Sequence, residues 1–269
     1  MARVDRATGD PSRDVRARRC GSIAGRAATR LQESGLQVRR ARPRRTPERK
    51  YVPSLGRIVT QIRWDRDRES RTGVPEVVYA PGKTSAHLRQ IFEATSELRI
   101  ASRLSDEQME VLRDLATIHA DARMAVRNAR EKRDIPVVPV ITAGTADIPV
   151  ALEAATTLDA MGVPTSTHFD VGVAGIHRLQ SILPELSAAR VCIVVAGMDG
   201  ALPGVVAGLL RAPVIGVPTS VGTGVAQGGI VALNTMLATC SPGVAVVNID
   251  NGFGAACLAL KIIGSERPD

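Results

Sequence analysis

From residue 136 onward the chain repeats one pattern. Five short runs, "PVVPVITAG", "PTSTHFDVG", "RVCIVVAG", "APVIGVPTS" and "GVAVVNID", are Val/Ile-rich and lack strict alternation of apolar and polar positions. A strand with one wet face alternates. A continuous apolar run suits a strand covered on both faces, as in the middle of a parallel sheet. Helical segments fall between the runs at 147–161, 174–183, 201–210, 227–238 and 253–263, and the first places Ile148, Leu152, Ala155 and Leu158 on one face. Strand–helix alternation predicts right-handed crossovers and an α/β, doubly wound parallel sheet over 131–269. Aromatic residues make up only 2% of the chain, so Ala, Val, Leu and Ile must fill the core through small, close contacts.

Residues 51–130 read as a small α/β domain in front of that sheet. "WDRDRESR" is helical, and a short strand spans Glu76–Ala80. A Pro-Gly-Lys turn then leads to a helix capped by Thr84 or Ser85, with Leu88, Ile91 and Phe92 on one face. A strand "LRIASRL", a helix "DEQMEVLRDLAT" and a polar link "RNAREKRD" follow. Residues 1–50 hold 15 Lys+Arg against 5 Asp+Glu, leaving 20 against 22 in the rest, so the tail carries all of the +8 net charge. Such a run is able to meet phosphate backbones or acidic surfaces. Its composition reads as a disordered, solvated extension, and its five acids argue against an organellar presequence.

No apolar run reaches the roughly 18 residues of a membrane span. Cys20, Cys192, Cys240 and Cys257 form no CxxC pair and read as reduced thiols of a cytoplasmic protein. His87, His119, His168 and His177 are scattered, with no metal-binding spacing. So few aromatics leave no stacking surface for single-stranded nucleic acid, which limits nucleic-acid contact to the basic tail.

In a doubly wound sheet, ligands bind beyond the carboxyl ends of the strands. The loops there read "AGTADIP", "DVGVAGIHRL", "AGMDGALPG", "PTSVGTGVAQGG" and "NIDNGFGAA". All are rich in residues that let backbone N–H groups approach an anion, and helices begin directly after several of them. Gly144 and Thr145 are placed to hold one phosphate. Ser220, Gly222 and Gly224 are placed to line another part of the same nucleotide-sized ligand. Neither GxGxxG nor a Walker motif is present, so the ordinary dinucleotide and ATP fingerprints are excluded.

The segments "TAGTADIPVALEA", "DVGVAGIHRL", "VVAGMDGALPGVVAGLL", "PVIGVPTSVG" and "VVNIDNGFGAA", with "DRDRESRTGVPEVVYAPGKT" upstream, together resemble the LarB family over roughly residues 55–265. The carboxy-terminal domain of that family is similar to PurE, the aminoimidazole ribonucleotide carboxylase, a flavodoxin-like fold that assembles as octamers. The resemblance implies an enzyme that carboxylates the pyridinium ring of nicotinic acid adenine dinucleotide with carbon dioxide or bicarbonate. It also implies phosphoanhydride hydrolysis, giving pyridinium-3,5-biscarboxylic acid mononucleotide and AMP for the nickel-pincer cofactor. Hydrolysis of a phosphoanhydride calls for charge neutralisation, so Mg²⁺ is expected.

The family's reactive cysteine falls on Cys240, between Thr239 and Ser241 and just ahead of a Pro-Gly turn, a poor address for a core filler. Cys192 and Cys257 lie within apolar runs and read as core. Asp199 is the best-placed carboxylate, to handle the ring proton or help bind the metal, with an N-cap as the plainer reading. His177 is read as acid, base or phosphate ligand, or as a surface histidine. Asp147 is read as an N-cap or a metal-side carboxylate. Gly197, Asn248 and Asp250 complete the substrate-binding set, and Lys83 is read as reaching a phosphate or carboxylate, or as a solvated turn lysine. Two other functions stay open: a PurE-like carboxylase or mutase, and a non-catalytic nucleotide-binding protein. A mutase is disfavoured because Met198-Asp199 stands where PurE-like mutases carry a loop histidine.

Overall fold

A computed structural model describes residues 63–94 and 96–264. The basic tail therefore lies outside the described residues. The carboxy-terminal part alternates β5 (Val138–Thr142), α4 (Ile148–Ala160), β6 (Thr165–His168), α5 (Ile176–Leu186), β7 (Cys192–Ala196), α6 (Leu202–Leu209), β8 (Val214–Pro218), α7 (Ile230–Leu237), β9 (Val244–Val246) and α8 (Gly252–Gly264). The strands form one sheet in the order β6-β5-β7-β8-β9, and every pairing is parallel. This is the flavodoxin-like doubly wound order, whose switch point lies between β5 and β7.

The strand pleat explains why the central runs are apolar throughout. Ile193 and Val195 of β7 face Ala151, Ala154, Leu158, Ala255 and Ala259 of α4 and α8. Their neighbours Cys192, Val194 and Ala196 face Leu179, Leu202, Val206 and Met236 of α5, α6 and α7. β5, β7 and β8 are buried at every position, whereas the edge strands β6 and β9 are half-exposed.

The amino-terminal part holds α1 (Arg68–Thr72), β1 (Val78–Tyr79), α2 (Ser85–Glu93), β2 (Arg99–Ser102), α3 (Asp106–Glu110), β3 (Thr117–His119) and β4 (Met124–Arg127), with strand order β1-β2-β4-β3. Thr84 caps α2 by accepting the His87 amide, and Ser105 and Gln108 close a capping box on α3. The expected helix through 106–117 is corrected here. It ends at Glu110, and the chain turns into the β3–β4 hairpin, because β4 pairs antiparallel with β2 and buries Met124, Ala125 and Val126. Burying such side chains outweighs the weak preference of a few polar residues for helix. One face of the small sheet, through Ile100, Met124 and Val126, belongs to the same core as α4 and α8. The other, through Ala101 and Ala125, packs on Leu88 and Phe92 of α2.

Candidate functional site

The loops after β5, β6, β7 and β8 enclose a cleft of about 560 Å³. Thr145 and Ala146 lead into α4, Val173 and Ala174 into α5, and Ala201 and Leu202 open α6, so three helix N-termini converge on it. Their outward N–H groups and dipoles favour an anionic ligand.

Asp147 ties the floor together. It is 4% exposed. One carboxylate oxygen accepts the Gly144 amide at 2.9 Å, and the other accepts the Thr219 hydroxyl at 2.7 Å. The Gly197 amide adds a third bond. Burial pushes its carboxyl above the ordinary range, against the pull of these three donors. The ends of three adjacent strands thus meet on one side chain. Gly197 is glycine for want of room, since a Cβ there would lie 2.5 Å from the Val221 carbonyl and 2.8 Å from the Thr219 hydroxyl.

The cleft's other charges are Asp170, Arg178 and Asp199. Arg178 and Asp170 form an ion pair. Asp199 is exposed, and its carboxylate accepts the Ala201 amide at 3.3 Å. Beside the cleft lies a second hollow of about 460 Å³, reached by the turn that carries Cys240, and Gly200 and Ala201 line both. The turn sits on α6 where that helix has no side chain: a Cβ on Gly204 would lie 2.5 Å from the Thr239 hydroxyl. Cys240 is exposed, whereas Cys192 is fully buried and Cys257 partly so. Burial pushes those two thiols up to about 12 and about 11, so they stay protonated and unreactive.

This geometry agrees with the comparisons to known proteins. Residues 137–269 match the AIR carboxylase family, and residues 58–129 match the LarB/PurE-like N-terminal domain. An uncharacterised protein of Methanocaldococcus jannaschii is 46% identical over 220 residues, which cover 75% of this chain and 84% of that one. The chain belongs to the LarB/PurE-like family. This LarB/PurE-like chain is also 34% identical over 145 residues to an N5-carboxyaminoimidazole ribonucleotide mutase of Pyrococcus horikoshii, covering 51% of the chain and 78% of the mutase. Against a phosphoribosylaminoimidazole carboxylase of Saccharomyces cerevisiae it is 32% identical over 137 residues, or 48% of the chain and 23% of that protein.

Of the residues singled out in the sequence, Gly144, Thr145, Asp147, Gly197, Asp199 and Gly222 line the cleft of this LarB/PurE-like chain. Others do not. His177 is exposed beside it, and its neighbour Arg178 faces the cleft instead. Lys83 closes its own turn, donating to the Tyr79 carbonyl at 2.9 Å. Asn248 accepts from the Ile249 amide, and the Ser220 amide donates to the Asp250 carboxylate at 2.8 Å. Asp147 does not cap α4 with its side chain; one oxygen instead takes the Gly144 amide that opens the 3-10 turn Thr145–Asp147, and the other takes the Thr219 hydroxyl. Sequence reasoning passed over Asp170, Arg178 and Thr219, whose partners only the fold supplies. Among the described residues, no group of three or more His, Cys, Asp or Glu is arranged to hold a metal, and no helix is long and apolar enough to cross a membrane.

Proposed function

We propose that this chain carboxylates the pyridinium ring of nicotinic acid adenine dinucleotide and hydrolyses its phosphoanhydride, as its resemblance to LarB implies. The observation that carries the reading is the exposed Cys240 in a hollow that shares Gly200 and Ala201 with the anion-suited cleft. A pyridinium ring is electron-poor and cannot attack carbon dioxide. The Cys240 thiolate adds to the carbon opposite the ring nitrogen, and a ring electron pair moves onto that nitrogen. The carbon next to the adduct then attacks carbon dioxide. Asp199 takes the ring proton, and the thiolate leaves with the C–S pair, restoring aromaticity. Such covalent catalysis splits one inaccessible step into easier ones.

Arg178 and the three helix N-termini serve the phosphates, and water cleaves the anhydride to release AMP. The cleft sets three carboxylates, Asp147, Asp170 and Asp199, against one guanidinium, so a phosphate-rich ligand there calls for a cation. Mg²⁺ on the phosphates would supply that charge, and Asp199, as the alternative to taking the ring proton, would be the open carboxylate to hold it. Homo-octamer formation belongs to the same proposal and would cover the exposed Val225, Ile230 and Leu237.

The test is mass spectrometry of protein incubated with nicotinic acid adenine dinucleotide, bicarbonate and Mg²⁺, beside Cys240→Ala. AMP and the doubly carboxylated mononucleotide, both dependent on Cys240, are expected. AMP without carboxylation would remove the thiolate mechanism. Turnover of an aminoimidazole ribonucleotide instead would support the mutase reading, which the relative in Pyrococcus horikoshii favours.

A further inference from the structure

Among the described residues the amino-terminal domain contributes none to the cleft lining, yet one of its arginines holds a residue that braces that lining. Arg103 follows β2 in the left-handed region, at φ 59°. Its Nε donates to Glu153 of α4 at 3.2 Å, and its Nη2 donates to the Asp250 carbonyl. Glu153 is 5% exposed, and its second oxygen accepts the Phe253 amide at the start of α8 at 3.2 Å. Asp250, also left-handed at φ 55°, donates its amide to the Pro218 carbonyl at 2.8 Å and accepts the Ser220 amide on its carboxylate at 2.8 Å. The next residues, Val221, Gly222 and Thr223, line the cleft, and the Val221 carbonyl accepts the Met198 amide of the loop that carries Asp199.

We infer that Arg103 is a positioning residue, through which the amino-terminal domain fixes Asp250 and so sets the 221–223 wall of the cleft. A guanidinium suits the task because one rigid fork meets a buried carboxylate and a backbone carbonyl at once. The neighbouring Arg123 makes the contrast. It donates to the Leu104 carbonyl and to Asp106, both within the amino-terminal domain.

The experiment compares hydrogen exchange of full-length wild type, Arg103→Gln and Arg123→Gln in the peptide spanning 218–224. Losing a hydrogen bond of this kind is expected to speed exchange of the Ser220 amide about tenfold in Arg103→Gln. Arg123→Gln leaves that peptide unchanged. Arg103→Lys keeps the charge without the fork and gives an intermediate rate, and it carries the measurement alone if Arg103→Gln fails to fold. Unchanged exchange at 218–224 in the Arg103 variants overturns the inference. A second readout rests on the proposed reaction: KM for nicotinic acid adenine dinucleotide rises about tenfold in Arg103→Gln while kcat changes less. A purely structural arginine would lower Tm and leave both constants of the folded enzyme alone. If wild type does not turn over this dinucleotide, the proposed reaction fails, and the exchange result still decides the role of Arg103.

Discussion

Replacing Thr219 by Val tests the floor of the cleft most directly. Thr219 is fully buried and donates its hydroxyl to Asp147 at 2.7 Å. Valine keeps the shape and deletes the donor. The same carboxylate keeps its bonds from Gly144 and Gly197, so it is weakened rather than orphaned. A hydrogen bond to a charged group contributes about 1.5–3 kcal/mol net, and about 2 kcal/mol is expected here. With a urea dependence near 3 kcal/mol per molar, that moves the unfolding midpoint by about 0.7 M. The pH dependence carries the sharper sign. The folded pKa of Asp147 is raised by burial and held back by Thr219, so the variant raises it further. Below both folded values the carboxyl is neutral in either protein, and only the neutral bond, about 1 kcal/mol, is lost. As pH rises through the wild-type folded value and then the variant's, the deficit grows to its full size. The assay is urea unfolding of both proteins, at one protein concentration, near about pH 4 and about pH 8. A deficit equal at both values, or larger in acid, would refute the carboxylate account of Thr219.

Three other outcomes follow from the same geometry. Gly197→Ala drives a methyl to 2.5 Å from the Val221 carbonyl, whereas Gly144→Ala meets nothing closer than 3.6 Å. The first should lose about 1–3 kcal/mol by thermal or urea unfolding and the second little, and equal losses would contradict the packing. In a Cys20→Ser background, a thiol-specific disulfide reagent should modify Cys240 at once and reach Cys192 and Cys257 only on unfolding, as followed by absorbance and peptide mapping. Arg178→Gln should weaken binding of a dinucleotide by about tenfold in titration calorimetry, with stability nearly unchanged, since the lost Asp170 partner is half-exposed.

The sheet was legible because its chemistry is local. Val138–Thr142, Cys192–Ala196 and Val214–Pro218 are predominantly apolar runs, and burial on both faces is what such runs require. The β3–β4 hairpin was hidden because Thr117 and His119 are exposed on a strand of three residues, which leaves no apolar period to read. The cleft was half legible for a related reason. Glycine-rich loops mark where backbone meets ligand, but the phase of α5 decides whether His177 or Arg178 turns inward. A 3-10 turn at Val173–Gly175, directly ahead of α5, is not legible in the sequence pattern. The floor role of Asp147 was out of reach, because Gly197 and Thr219 lie in two other loops that only the strand order brings to it.

Those separations have a consequence for the growing chain. Thr219 stands 72 residues beyond Asp147. At translation speeds of about 5–20 residues per second, the carboxylate leaves the ribosome roughly 4–14 s before its hydroxyl partner exists. Until then it is better off in water, and β5 and α4 must wait with one end unsealed. A nascent chain arrested after β7 would carry most of the strands and no finished cleft. This fold therefore completes its binding end late: β8 closes the floor, and Asp250, arriving after β9, braces the wall.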